Sequence, residues 1–282
     1  MHKLFSCETR RAFDNKRMWA VLLFTFLLAL AHGFLIYFPF ARSCWNGYSN
    51  DYEGVKGYFA PTHLWSYWLG FDSSYTPLMA VVYLIIPILA AFPFADSFLQ
   101  DRRGGYLKNL LTRVGRRAYG AAKYLAVFLA SGTAAVSPLI FDLLLITASL
   151  PSGIKPFISE GYYCIGANSM FGPIFYRAPF LYILIFLVLD FVFFGALACL
   201  SLCIAFYVEN PFFVLMFPFM VYFLFCELCN ILGFDRLSPA VYLVPEQVFT
   251  VAGPGIILTE TAVLLVFTFV FFNWKIRKIE VF

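Results

Sequence analysis

Residues 101–123 read DRRGGYLKNLLTRVGRRAYGAAK, the only long basic segment of the chain that lies between two apolar runs. The segment carries Arg102, Arg103, Lys108, Arg113, Arg116, Arg117 and Lys123 against the single acid Asp101. A basic stretch between nearly uncharged runs belongs on the cytoplasmic side of a membrane, because Lys and Arg resist translocation. Within it, a helix over 106–113 places Leu107, Leu110 and Leu111 on one face at the i, i+3, i+4 spacing. Gly104 and Gly105 precede that short helix and Gly115 follows it, so both ends are punctuated. Two readings stand level at this point: a solvated loop whose leucines touch the headgroups, and a helix that docks a partner.

Working outward, the runs on either side demand lipid. The 282-residue chain is 62% hydrophobic and 13% charged, with 36 Phe and a mean hydropathy of +0.80. A soluble domain of this size cannot hide so much apolar surface, so the fold class expected is an all-α integral membrane protein. Apolar runs occur at 18–38, 77–94, 124–150, 179–207, 212–232 and 255–274. A spanning helix needs about 20 residues for a hydrocarbon core of roughly 30 Å, which gives six transmembrane helices in a single domain, 1–282. Fifteen Lys and Arg fall in the N-terminal arm, the 101–123 segment and the tail, against five (Arg42, Lys56, Lys155, Arg177 and Arg236) in the opposite loops. That bias orients both termini to the cytoplasm in a multi-pass protein of the plasma membrane. Trp19 and Trp274 fall at the expected inner boundaries, where indole rings prefer to lie.

The start of the chain is expected to be neither a cleaved signal, since its first apolar run opens near Met18 with no small-residue cleavage site behind it, nor a lipoprotein anchor at Cys7. Residues 3–17 alternate charge with Leu4, Phe5, Ala12 and Phe13, an interfacial amphipathic helix. Asp14 and Asn15 offer an N-cap for the first span. The aromatic segments 40–75 and 151–178 read as partly buried outer loops. The turn at 208–211 is short enough to make its two helices antiparallel neighbours. The stretch 233–254 mixes Pro239, Pro245 and Pro254 with Val241, Tyr242, Leu243 and Phe249, too apolar for an open loop, and reads as a re-entrant stretch before the last helix.

Enzyme chemistry has little to stand on. There is no phosphate-binding G-x-x-x-x-G-K-[ST], no H-E-x-x-H among His2, His32 and His63, and no G-x-S-x-G elbow. The catalytic, cofactor and metal sites are therefore expected to be none, and the small net charge of +4 gives no reason for a nucleic-acid partner. Cys44 and Cys164 lie in the two outer loops, where a disulfide and two unrelated thiols both remain open. Cys226 and Cys229, without a second pair, read as packing. Gly195, Cys199 and Cys203 form a small-residue stripe suited to close helix contact. Asp190, near the middle of the fourth span, is expected to face protein or a water-filled cavity or to be protonated, because a charged Asp there costs about 2.5–3.5 kcal/mol. It reads either as a pathway or proton-linked residue or as a hydrogen-bonding clamp. Asp142, Glu227 and Glu260 sit nearer the outer ends, where water is close, and His32 reads as a satisfied polar contact.

These features together resemble the ABC-2 type permeases of bacterial ABC transporters. The local match runs from Gly105 through Tyr106, Leu107, the pair Leu110-Leu111, Arg113, Arg116-Arg117 and Tyr119 to Lys123. Val114-Gly115 stands where the commoner pattern has a Pro before the arginines. The resemblance implies a permease subunit of an ATP-driven exporter, working as a homodimer or as a heterodimer with a second permease. Separate ABC ATPase subunits would bind ATP and Mg, so this chain would need no cofactor. Tyr106, Leu107, Leu110, Leu111, Arg113, Arg116 and Arg117 would then be the ATPase-coupling residues, the leucine face entering a groove with arginines on its rim. Cargo of a hydrophobic, peptide or antibiotic-like kind suits the aromatic, weakly charged spans. A membrane sensing or immunity module on the same scaffold, and a proton-coupled secondary transporter using Asp190 or Glu260, are the alternatives.

Overall fold

The computed structural model describes residues 2–34, 68–70, 78–149, 165, 169–246 and 253–279. Among these there are helices and no strand. In chain order the helices are α1 (His2–Phe13), α2 (Lys16–His32), α3 (Leu78–Ala91), α4 (Ser97–Arg103), α5 (Tyr106–Arg113) and α6 (Arg116–Ser149). Then come α7 (Gly172–Arg177), α8 (Pro179–Ala198), α9 (Leu200–Ile204), α10 (Pro211–Ile231), α11 (Pro239–Tyr242) and α12 (Pro254–Arg277). Four segments are long and apolar enough to cross a membrane: α6, the nearly continuous Pro179–Ile204 formed by α8 and α9, α10 and α12. Helices α2, with 17 residues, and α3, with 14, are apolar but shorter.

Local chemistry sets the boundaries. The arm and the first apolar helix separate at Asn15, whose backbone is extended and whose Oδ1 accepts from the Arg17 N–H at 3.1 Å. This is an N-cap satisfying one of the orphan donors of a helix start. Asn210 does the same for Phe212 at 3.0 Å, with Pro211 in the first turn where its missing N–H removes nothing. Gly105 takes φ +69°, a left-handed conformation that favours glycine, and it turns the chain from α4 into α5.

Helix α6 organises the bundle, packing on α8, α2, α1, α12 and α3. Its 34 residues extend about 51 Å at 1.5 Å per residue, well beyond a hydrocarbon core of roughly 30 Å. It begins at Arg116, not at residue 124 as hydropathy suggests, since hydropathy marks where lipid begins and not where the backbone hydrogen bonds start. The α6 and α8 backbones touch. A Cβ on Gly132 would lie 2.8 Å from the Phe191 carbonyl oxygen, and one on Gly195 would lie 2.9 Å from that of Phe128. Gly195, the first residue of the small-residue stripe, therefore lies at a close approach, as small residues in packed apolar helices allow.

Prolines inside these helices free carbonyls that lipid cannot satisfy, and at Pro138 and Pro218 hydroxyls from the protein take them. Pro218 has no N–H for the Val214 carbonyl, and Ser201 Oγ of α9 donates to that oxygen at 2.8 Å. Pro138 frees the Ala134 carbonyl, which Ser137 Oγ reaches at 2.8 Å. Thr25 Oγ1 lies 3.0 Å from Ser137 Oγ. The Thr25 hydroxyl also lies 3.1 Å from the Leu22 carbonyl of its own helix, and its contact with Ser137 ties α2 to α6.

The contacts sort the helices into two ends. At one end lie α1, α4, α5, the start of α6, the 205–210 turn and the C-terminal end of α12, where Arg102 donates to the Phe206 carbonyl and Arg116 to that of Arg277. At the other, Trp68 and Leu69 are buried against α6, and the Trp68 indole donates to the Leu139 carbonyl at 3.0 Å. There the 235–237 turn and α11 fold back on the bundle, burying Tyr242 and Leu243, while Tyr182 donates to the Pro245 carbonyl at 2.6 Å. The described parts of both aromatic segments are thus largely packed on the core, while in 233–246 residues 242–246 are buried and 233–237 are exposed.

Ser201→Ala is expected to lower unfolding stability in mild detergent by about 1–3 kcal/mol, because it leaves the Val214 carbonyl unpaired in a dry bundle. In a Pro218→Ala background, where an N–H returns to that carbonyl, the same change should cost much less. Equal losses in the two backgrounds would show that Ser201 does not compensate for the proline.

Candidate functional site

The face of α1 toward the bundle is Leu4, Glu8 and Ala12, spaced at i, i+4 and i+8, so a carboxylate stands in the middle of a packing stripe. Glu8 is 0% exposed. Its Oε2 lies 2.9 Å from Lys123 Nζ on α6, and that ammonium, itself 0% exposed, is 2.6 Å from Asp101 Oδ2 on α4. Arg11 completes the figure, with NH1 2.8 Å from Glu8 Oε1 and NH2 2.8 Å from Asp101 Oδ1. Each carboxylate thus bridges the same two cations in a closed, electrically neutral ring that joins three helices. Tyr119 donates to Asp101 Oδ2 at 2.9 Å, and the Lys123 ammonium lies 4.7 Å from the centroid of the Phe94 ring. Burial alone would raise the Asp101 carboxyl, but Lys123 and Arg11 overcome it and hold it below the usual carboxylate range. Burial would lower Arg11, and its bonds to Asp101 and Glu8 outweigh that and raise it.

A second pair supports the ring. Arg17 places NH1 2.9 Å from both oxygens of Asp96, which also accepts from Gln100 at 2.8 Å, and the Asn15 amide donates to the Pro93 carbonyl at 2.8 Å. The N-terminal arm is therefore bolted to the bundle and is more than an amphipathic helix resting on lipid.

Helix α5 has the expected bounds, but its leucine face is turned inward. Leu107 is buried in the bundle, and Leu110 and Leu111 pack half-buried against the same core. Helix α5 packs on α4, and its leucines join the chain's own apolar core, so the face expected to enter a partner's groove is at least half-buried within the chain. The outward residues are Tyr106, Lys108, Asn109, Thr112 and Arg113, followed by Arg116 and Arg117. Arg11 lies over the Tyr106 ring at 4.9 Å from its centroid, so the exposed face of α5 adjoins the ring of charges.

Asp190 is fully buried, and the Tyr83 hydroxyl of α3 donates to its Oδ2 at 3.2 Å. Its Oδ1 has no partner among the described residues. It bridges α3 and α8 within the chain. Asp142 departs from expectation. It is buried, not close to water, with Oδ1 2.7 Å from His32 Nδ1 and Oδ2 accepting from the Leu69 N–H at 2.7 Å. His32 is accordingly satisfied. Cys44 and Cys164 lie outside the described residues. Cys199, Cys203, Cys226 and Cys229 are free thiols. Among the described residues no three His, Cys, Asp or Glu side chains are grouped so as to hold a metal ion.

Glu8 is the residue that sequence reading passed over, while Arg11 and Lys123 entered it only as bases of their segments and of the resemblance, and Asp101 only as the lone acid of its segment. The available signal was a charged residue on an inward stripe, Glu8 between Leu4 and Ala12, and a Lys one turn after Tyr119. No family model, curated protein or solved structure matches this chain, so its function has to be argued from this geometry.

Lys123→Met is expected to destabilise the protein by about 3–5 kcal/mol, since it leaves two buried carboxylates with one half-exposed arginine. Because the folded Asp101 value is depressed, its stabilisation is complete above the unfolded value of about 3.9 and disappears as pH falls through the lower folded value. The melting temperature in mild detergent should therefore drop below about pH 4, and Asp101→Asn should flatten that acid limb. An acid limb unchanged by the substitution would remove Asp101 as its source.

Proposed function

We propose that the chain is the transmembrane permease subunit of an ATP-driven exporter, forming the substrate path and taking its motive force from separate ABC ATPase subunits. The observation that carries this reading is the ring of Glu8, Lys123, Asp101 and Arg11, which makes α1, α4 and the start of α6 one mechanical unit. The exposed face of α5 adjoins that unit. A push on α1 or α5 would reach α6, whose length carries it through the membrane to the helices packed on it. A passive loop would need no such connection.

In this reading α2 and α3, prolonged by the residues that flank them, cross the bilayer with the four longer spans, making six. The 235–246 fold-back belongs to a re-entrant stretch before the last helix. Excess Lys and Arg put the arm, α5 and both termini in the cytoplasm of a plasma-membrane protein. The ATPase would meet Tyr106, Lys108, Arg113, Arg116 and Arg117, a polar and cationic face, while the leucines hold α5 to the permease. A second permease chain, identical or related, would complete the pathway for a hydrophobic, peptide or antibiotic-like cargo. The chain itself performs no covalent chemistry, and ATP and Mg belong to the partner. Nucleotide-driven closure would shift the balance between inward- and outward-open states through differential contact with these elements.

The test is co-purification from mild detergent. An ATP-hydrolysing subunit should accompany the wild-type chain. It should be lost when Lys108, Arg113 and Arg117 are together replaced by Glu, with the membrane-inserted chain still folded. Leu107→Asp should instead collapse the fold. A complex that survives the triple charge reversal would overturn the coupling surface. Purified chain that moved cargo on a proton gradient without ATP would overturn the permease reading itself.

A further inference from the structure

Between α8, α10, α11 and α12 lies a hollow of about 390 Å³, at the end of the bundle away from the chain termini. Its walls include Phe193 and Leu197 of α8, Tyr222 and Phe225 of α10, and Val263 and Phe267 of α12. Set among them is the carboxylate of Glu260, and among the described residues no Lys or Arg lines the hollow. Tyr242 of α11 donates to Glu260 Oε2 at 2.6 Å, which fixes the carboxyl group at the rim.

The layout along α12 has a direction. Glu260, Val263, Leu264 and Phe267 share one stripe, so the carboxylate comes first and the apolar wall follows. Glu260 is six residues into α12, about 9 Å from the helix start, which is near a membrane interface, and Phe267 lies about 10 Å deeper at 1.5 Å per residue. Val263 and Phe267 are exposed on the outside of the bundle, so the hollow is open to lipid. A small-molecule pocket is typically about 300–1,000 Å³, mostly apolar, with a few placed polar groups. A carboxylate in apolar walls without a protein cation is complemented by a ligand that brings one.

We propose that this hollow binds a membrane-borne lipophilic amine, its ammonium head on Glu260 and its chain running along Val263, Leu264 and Phe267. The occupant enters from the leaflet, with the head toward the interface and the tail toward the midplane. The site lies at the opposite end from α5 and needs neither nucleotide nor ATPase. Its failure therefore leaves the permease reading standing, and failure of that reading leaves the site standing.

The experiment uses the full chain reconstituted in phosphatidylcholine vesicles at neutral pH, with nitroxide-labelled stearylamine as probe and labelled stearic acid as its anionic counterpart. The motionally restricted fraction in the electron spin resonance spectrum reads association. Glu260→Gln should weaken association of the amine by about tenfold, the scale of a hydrogen bond to a charged group, and leave the acid unchanged. Val263→Trp, at the exposed rim, should displace the amine while keeping Glu260 and the fold. Amine association equal in wild type and Glu260→Gln, or unaffected by Val263→Trp, would overturn the proposal. So would dipolar broadening between labels at position 263 of two chains, which would mean that a second copy covers the hollow.

Discussion

Two buried carboxylates and two cations hold the rest of this protein in place. Glu8 and Asp101 each bridge Arg11 and Lys123, and the closure of that ring is what makes it tolerable at 0% exposure for Glu8 and Lys123. An isolated buried ion carries a desolvation penalty of several kcal/mol, recovered only when every charge finds good geometry. Here each carboxylate oxygen faces a cation, and Tyr119 and the Phe94 ring complete the surroundings of Asp101 and Lys123. The consequence is positional. A hydrophobic stripe would let α1 slide or roll along α6, whereas a ring of directed contacts gives it one register.

The same rule governs the apolar interior, where water cannot repair an unpaired group. Pro138 and Pro218 each free a carbonyl, and serines at 137 and 201 take them up. His32 and Asp142 satisfy each other, and Asp142 also receives the Leu69 N–H. Tyr124 pairs with Thr268 at 2.8 Å and ties α6 to α12. Apart from the Ser137 bond within α6, these polar contacts cross between segments at several depths. They supply the orientation that apolar packing alone does not, since lipid tails compete with side chains for the same surfaces. Close approach of Gly132 and Gly195 to opposing carbonyls adds steric selection between α6 and α8.

Outside these contacts the protein is open. Helices α10 and α12 bury little of themselves within the chain, and both border the hollow that holds Glu260. The molecule thus has a stiff end, where the arm, α4 and α6 are locked, and a loosely covered side.

Several features were legible in the amino-acid order because they are local. Helix α5 over 106–113 was legible from its flanking glycines, the break at Asn15 from its capping side chain, and the apolar runs from composition alone. Periodicity also showed that Leu107, Leu110 and Leu111 share a face, and the same repeat, unread, put Glu8 with Leu4 and Ala12. It could not show what those faces meet, because a repeat fixes the angle around a helix and says nothing of the helix beside it. Lys123 lies 115 residues from Glu8, and Asp142 lies 110 from His32, separations over which no pattern reports. The sequence by itself determined an all-helical chain suited to lipid, with charge gathered toward one side, since hydropathy and charge act residue by residue. Only the tertiary structure decided that the leucines of α5 look inward, that Lys123 is a buried bolt and not a solvated cation, and that Asp142 is dry, since each depends on which distant helix arrives opposite.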